Sequence, residues 1–241
     1  MGRADRLDAL RGVAMIWMAA YHFAFDLNHF RLLQPLQNFY ADPVWTTQRT
    51  CILSLFLLCA GAGQALAQHA GQTWPRFWRR WLQIAACAAL VSLGSAWMFP
   101  RSWIFLGVLH GMALMLILTR LVLASGVRVG WLLALGALTM ALPSLASHEF
   151  FNGVAWRWTG LGTRKPVTED WVPLLPWWGV MLCGAAAARA LLAQRPQMLR
   201  ATPSLPGHAM AALGRHSLVF YMLHQPVLIG AIELYLLIFR R

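Results

Sequence analysis

Leu7-Asp8-Ala9-Leu10-Arg11-Gly12-Val13-Ala14-Met15-Ile16-Trp17-Met18-Ala19-Ala20-Tyr21-His22-Phe23-Ala24-Phe25-Asp26 is an apolar run of membrane-span length interrupted by a few ionisable groups. Its period decides how those groups are arranged. Eleven residues are close to three α-helical turns, so Arg11 and His22 share one face, about 16 Å apart. Asp26 joins that face one turn beyond His22. Polar groups in a membrane-length span are costly and face a cavity, a partner or a substrate. A cation near one end and an imidazole with a carboxylate deeper along the face therefore suggest a reaction site built into a membrane.

The rest of the chain fits a membrane solvent. Of its 241 residues 59% are hydrophobic and 12% charged, against about a quarter charged in an ordinary soluble domain. Thirteen tryptophans suit interfacial belts and nineteen glycines suit close helix contact. The first residues do not read as a cleavable signal, because charges run up to the apolar stretch and no small-residue cleavage site ends it.

Spans of about twenty residues are expected near 9–30, 46–67, 79–99, 103–124, 129–147, 172–193 and 217–238. The fold class is therefore all-α, a polytopic membrane helix bundle of about seven transmembrane helices forming one domain over residues 1–241. Pro100-Arg101-Ser102 alone joins the third and fourth spans, which predicts a tight antiparallel hairpin. Residues 148–171 and 194–216 are long connections, the second holding Pro196, Pro203 and Pro206.

Basic residues set the orientation. With the N-terminus in the cytoplasm, inside segments carry twelve Lys and Arg residues, from Arg3, Arg6 and Arg11 through Arg215. Outside segments carry eight, including Arg240 and Arg241. The bias favours N-in. The net charge of +12 does not indicate nucleic acid. Its arginines are scattered at span ends, where they anchor helices and meet anionic lipid headgroups. The densest group, Arg76, Arg79 and Arg80, is either such an anchor or a docking point for the phosphates of a cytosolic nucleotide.

Cys51, Cys59, Cys87 and Cys183 form no close pair and read as small core residues, and no metal-ligand cluster is evident. Histidine says more. His22, His110 and His224 fall within spans. In the last span Ser217, Tyr221, His224 and Gln225 recur on one polar face, and Pro226 then removes a backbone donor. His110, followed by Gly111, reads equally well as a structural histidine.

Several segments together resemble a known family. Leu7-Asp8-Ala9-Leu10-Arg11-Gly12 with His22-Phe23 and Phe25-Asp26-Leu27-Asn28 resembles bacterial relatives of heparan-α-glucosaminide N-acetyltransferase. Phe105 to His110, Pro173 to Gly179, and Leu213-Gly214-Arg215-His216-Ser217 through His224-Gln225-Pro226 are similar to the same group. The spacing of Arg11 and His22 is also similar to that in a wider class of membrane acyltransferases that modify surface glycans. The resemblance implies an enzyme of the bacterial inner membrane that takes acyl groups, acetyl above all, from cytosolic acyl-CoA. The acceptor would be a sugar or glycan amine or hydroxyl. Acetyl-CoA is then a donor substrate, and membrane lipids surround the chain. Oligomeric state, a homo-oligomer included, stays open.

The implied roles are specific. Arg11 and His22 match the family's arginine and histidine positions; the basic cluster, not the resemblance, adds Arg79 or Arg80 as candidate phosphate contacts for the donor. The lysosomal enzyme's catalytic histidine falls after this helix, nearer His29, and that enzyme has a lumenal domain and more spans. His22 is preferred here, because it is deeper and has Asp26 on its own face. Thioester acyl transfer needs a base, which neutral His22 supplies, and a group to stabilise the imidazolium, as Asp26 can. It also needs oxyanion donors, for which His110, Tyr221, His224 and Gln225 are candidates. A covalent acyl-histidine route uses the same residues. Two other classes fit the polar face: a proton-coupled transporter relaying protons through His22 and Asp26, and a membrane haem protein with histidine axial ligands.

Overall fold

The computed structural model describes residues 5–200 and 205–239. Arg3, Pro203, Arg240 and Arg241, which enter the charge bias and the loop reading above, lie outside the described residues. The fold is all-helical, with no named strand among the described residues and one isolated parallel bridge, Leu106 to Trp171. The helices are α1 (Asp5–His29), α2 (Pro43–His69), α3 (Trp74–Met98), α4 (Val108–Ala124), α5 (Val129–Ala146), α6 (Trp177–Gln194), α7 (Gln197–Arg200), α8 (Leu205–Arg215) and α9 (Ser217–Phe239). By length and apolarity α2, α3, α5 and α9 can each cross a membrane, and α4 is a shorter apolar helix of 17 residues. Their outward faces match that solvent, as with Trp97 on α3, which is 86% exposed.

The chain divides into two compact units. One is Leu57–Leu199; the other is Arg3–Phe56 with Arg200–Arg241, and helix α2 runs through both. In the first unit glycines set the helix crossings. A Cβ on Gly61 of α2 would lie 1.9 Å from the Met181 carbonyl oxygen of α6, and one on Gly184 would lie 2.1 Å from that of Leu58. Only hydrogen fits there, so backbones meet directly. Around these crossings Leu123, Leu132, Leu182 and Ala185 are fully buried.

The α3–α4 hairpin differs from expectation. Its connection runs over 99–107 instead of three residues, because 103–107 is extended and pairs with 168–172. Val172 N–H donates to Leu106 O at 2.8 Å, and Glu169 N–H to Ser102 O at 2.8 Å. Helix α4 thus begins five residues later than its apolar run, and the Asp170 carboxylate accepts from Val108 N–H at 2.8 Å. An anion at a helix N-terminus offsets its orphan N–H groups. Helix α6 starts at Trp177, not near 172, because Pro173 and Pro176 supply no N–H and Pro176 stands at its N-cap.

The largest departure lies between α6 and α9. The connection expected over 194–216 holds α7 and α8. Helix α8 has Pro206 in its first turn, where the missing N–H costs no bond, and it packs along α1. A Cβ on Gly12 would fall 2.0 Å from Met210 O, and one on Gly214 would fall 1.8 Å from Asp8 O. That register makes α8 antiparallel to α1, and Arg215 reaches Asp5 at 3.9 Å. The segments 7–12 and 213–217, which carry much of the family resemblance, are therefore the two halves of one glycine-mediated crossing.

Candidate active site

Helix α1 buries one face, with Asp8, Gly12, Met15, Met18, Tyr21 and Asp26 turned inward. Leu10, Val13, Ile16 and Phe23 stay exposed on the other. Its end is fixed by a closing turn. Leu32 N–H donates to Leu27 O at 2.8 Å and Arg31 N–H to Asn28 O at 3.0 Å, with Arg31 at φ 58°. This is the reversed pattern that normally favours glycine. The Asn28 side chain then clamps Gln37 on both sides, accepting from Gln37 N–H at 2.7 Å and donating to Gln37 O at 2.9 Å. The returning chain brings Phe39 and Trp45, stacked at 4.0 Å, against Tyr21.

Against this wall α9 contributes the polar partners. Helix α9 continues through Pro226 without a break. Among its described residues it buries only His224 and Ile232. Gln225 Nε2 donates to Asp26 Oδ1 at 3.0 Å. Gln225 Oε1 lies 3.3 Å from His22 Nδ1, and His224 Nε2 lies 3.2 Å from that same nitrogen. His224 Nδ1 lies 2.7 Å from the Tyr221 carbonyl oxygen. Phe220 stacks on the His224 ring, 7° from parallel. Asp26 is 4% exposed, and its Oδ2 is buried without a hydrogen-bond partner among the described residues.

Donor and acceptor chemistry fixes the protons. A carbonyl only accepts, so His224 Nδ1 carries hydrogen and its Nε2, in the neutral ring, accepts. The Asp26 carboxylate accepts from the amide of Gln225, which turns the amide oxygen toward His22. His22 Nδ1 therefore faces two acceptors and carries the proton. Its Nε2 is left with a lone pair and makes no hydrogen bond among the described residues.

Histidine, glutamine and aspartate thus meet, although not as i, i+4 spacing suggested. The carboxylate engages Gln225 instead of the imidazole of His22. Tyr221 enters through its backbone carbonyl and a ring contact at 5.7 Å from His224. Arg11 is held to Asp8 at 2.9 Å near the start of α1. His29 ends α1, exposed, with its ring edge-on to Phe30. The remaining candidates belong to the first unit. His110 there has both nitrogens engaged: Nδ1 accepts from Gly107 N–H at 3.2 Å, and Nε2 donates to Ser92 Oγ at 2.9 Å. Ser92 in turn donates to Ile104 O at 2.7 Å. Arg79 and Arg80 are exposed on α3, Arg80 bonded to Gln83 at 3.0 Å. No group of three or more metal-ligating side chains occurs among the described residues.

Sequence reasoning missed the bridging role of Gln225 and the aromatic wall of Tyr21, Phe39 and Trp45. The polar stripe on the last span signalled the first. Nothing in the pattern of 30–42 signalled the second. No curated protein and no solved structure matches the chain. A family model described as heparan-alpha-glucosaminide N-acetyltransferase, catalytic, matches residues 3–226, a stretch containing His22, Asp26, His224 and Gln225. The chain belongs to that acetyltransferase family.

Proposed function

We propose that this chain is an integral-membrane acetyltransferase that moves an acetyl group from cytosolic acetyl-CoA to an amino or hydroxyl group of a sugar or glycan across the membrane. His22 is the general base. The observation that carries this reading is the placing of one ring: His22 Nδ1 lies 3.3 Å from Gln225 Oε1 and 3.2 Å from His224 Nε2, which assigns the proton to Nδ1 and the lone pair to Nε2. The acceptor nitrogen or oxygen attacks the acetyl carbonyl carbon and its proton passes to Nε2. The carbon–sulfur bond then breaks, and the CoA thiolate takes that proton from the imidazolium. Asp26, acting through Gln225, and the neutral Nε2 of His224 stabilise the transient cation. Base catalysis of this kind contributes about 10²–10⁴ in rate.

Arg11, steadied by Asp8, is assigned to phosphate or pantetheine carbonyl groups of the donor. The family match extends through segments of both compact units, which supports treating residues 1–241 as one catalytic domain. Seven crossings with the N-terminus in the cytoplasm of a bacterium's inner membrane complete the proposal; the basic-residue bias supports the orientation.

The test is reconstitution into sealed liposomes, with labelled acetyl-CoA on one side and a panel of amino sugars and glycans on the other. Label is expected on the acceptor, and none on protein quenched within a single turnover. Uptake of unmodified acceptor without acetyl transfer would overturn the reading in favour of a carrier. Acid-labile label on His22 would replace the base with an acyl carrier.

A further inference from the structure

Gln225 was singled out by the sequence as a possible donor to a developing oxyanion. Its contacts describe something else. Both ends of its amide are already occupied: Nε2 by Asp26 at 3.0 Å and Oε1 by His22 at 3.3 Å. We infer that Gln225 is a positioning residue that couples Asp26 to His22 and holds the His22 proton on Nδ1, so that Nε2 is the reacting nitrogen. The inference rests on the reading of His22 as the base.

An amide is suited to this because its two ends differ. A carboxylate can only accept, so Asp26 selects the NH2 end. The oxygen end is then turned to His22 and can only accept in its turn. A bridging carboxylate would place a second anion against Asp26, and a bridging hydroxyl could rotate and reverse the sense of the chain. The amide therefore transmits a direction from Asp26 to the ring. His224 adds a second constraint of the same sign, because the Tyr221 carbonyl fixes a proton on its Nδ1 and leaves its Nε2 to accept from His22. The alternative His22 tautomer would aim a lone pair at two acceptors. It would also put hydrogen on Nε2, the nitrogen that must take the acceptor's proton.

Burial makes the arrangement persistent. Asp26 is 4% exposed and His224 is 8% exposed, while His22 and Gln225 are half-buried, so competition from bulk water is reduced. The Pro226 that follows Gln225 removes a main-chain donor from α9. The Gln225 side chain bonds across to α1 even so, and that is where its amide is used. This is the division of labour in a triad, where the carboxylate orients the histidine and the wrong tautomer costs up to about 10⁴ in rate. Here an amide stands between the two.

The experiment uses the full chain in lipid nanodiscs with 15N-labelled histidine, the His22 resonances being assigned by comparison with His22→Asn. The wild-type ring is expected as the Nδ1–H tautomer. Gln225→Leu, of nearly equal volume, should give a mixture of tautomers and lower kcat by about 10–100-fold, as loss of an orienting partner does elsewhere, with KM for acetyl-CoA unchanged. The fall is less than complete because His224 still accepts from Nδ1. Asp26→Asn serves if Gln225→Leu does not fold: its amide can present either end to Gln225, so the tautomers should again mix and kcat fall less. The proposal is overturned if kcat stays at the wild-type level in a folded variant, or if it falls while His22 remains Nδ1–H. A rise in KM alone would also overturn it. If His22→Asn itself keeps full activity, it is the functional reading that fails, and the two failures are told apart.

Discussion

Two helix histidines, His110 in the first unit and His22 in the second, answer the same physical problem in opposite ways. His110 closes its account with the protein: Gly107 N–H on one nitrogen, Ser92 Oγ on the other, and Ser92 tied onward to Ile104 O. His22 spends one nitrogen on two partners and leaves the other bare. Each solution satisfies the rule that polar groups out of water must be bonded or used. A histidine with both nitrogens engaged is a clasp, and here it joins α3 to the start of α4. A histidine with one nitrogen fixed and one open suits the proton transfer proposed for His22. The difference lies in the partners, and residue type alone does not reveal it.

The sharpest way to break the comparison is to truncate both rings. His22→Ala should cost about 10²–10⁴ in kcat, with the helical circular dichroism little altered and the thermal midpoint somewhat lowered, since Gln225 Oε1 and His224 Nε2 lose a partner. Steady-state acetyl transfer and thermal denaturation in the same detergent report both quantities. A stable, fully active His22→Ala protein would end the distinction.

His110→Ala should behave in the reverse sense. It leaves Ser92 Oγ and Gly107 N–H without their partner, which costs about 1–3 kcal/mol of stability for groups removed from water. The folded fraction should retain kcat within about twofold. Activity normalised to folded protein, from size-exclusion chromatography, decides it. A loss of kcat at unchanged folding would make His110 part of the chemistry.

Much of this arrangement is legible in the residues alone. Four of the seven expected spans fall on helices long and apolar enough to cross a membrane, α2, α3, α5 and α9, because a span of hydrocarbon length leaves a strong composition signal; the other three fall on the helices α1, α4 and α6. The polar stripe of Tyr221, His224 and Gln225 was visible at helical spacing. What escaped were features that depend on pairing. Helix α8 has eleven residues, too short for any membrane-length window, and its burial comes from Gly12 and Gly214 meeting backbone on the opposite helix. The Asp26 carboxylate sits one turn from His22 and was expected to touch it. Gln225, from 199 residues away, intervenes instead. The start of α4 shifted for the same reason, since its anchor at Asp170 is remote in sequence. Periodicity reports which face is polar, whereas the partner depends on tertiary packing.

A third comparison isolates the role of charge in the relay. Asp26→Leu removes the acceptor of Gln225 Nε2 and leaves that amide unpaired among buried groups, so it should be as damaging to kcat as the loss of Gln225, about 10–100-fold. Asp26→Asn keeps size and an acceptor oxygen and should be milder. Equal effects of the two variants on kcat would mean that the carboxylate's charge, and not its hydrogen bond, carries the contribution.

The smallest effect is expected at His29, and it matters most for the assignment. The family resemblance points to a catalytic histidine near this position, seven residues beyond His22 and so about 10 Å further along the axis. His29 is the last residue of α1, exposed, and its ring meets the edge of Phe30 at 5.5 Å. It has no side-chain hydrogen bond among the described residues to fix a tautomer, and its acidic neighbour, the Asp26 carboxylate one turn back, acts on it only electrostatically. Nor does it shape the helix end, since the closing bonds there run from Leu32 to Leu27 and from Arg31 to Asn28 through the backbone. His29→Ala should therefore leave kcat and stability within about twofold and 0.5 kcal/mol of wild type. Run beside His22→Ala in one transfer assay, it discriminates between a base held by α9 and a base at the end of α1. If His29→Ala is the inactive protein and His22→Ala the active one, the polar cluster of α1 and α9 becomes a second clasp like that of His110, and the chemistry moves to the turn after the helix.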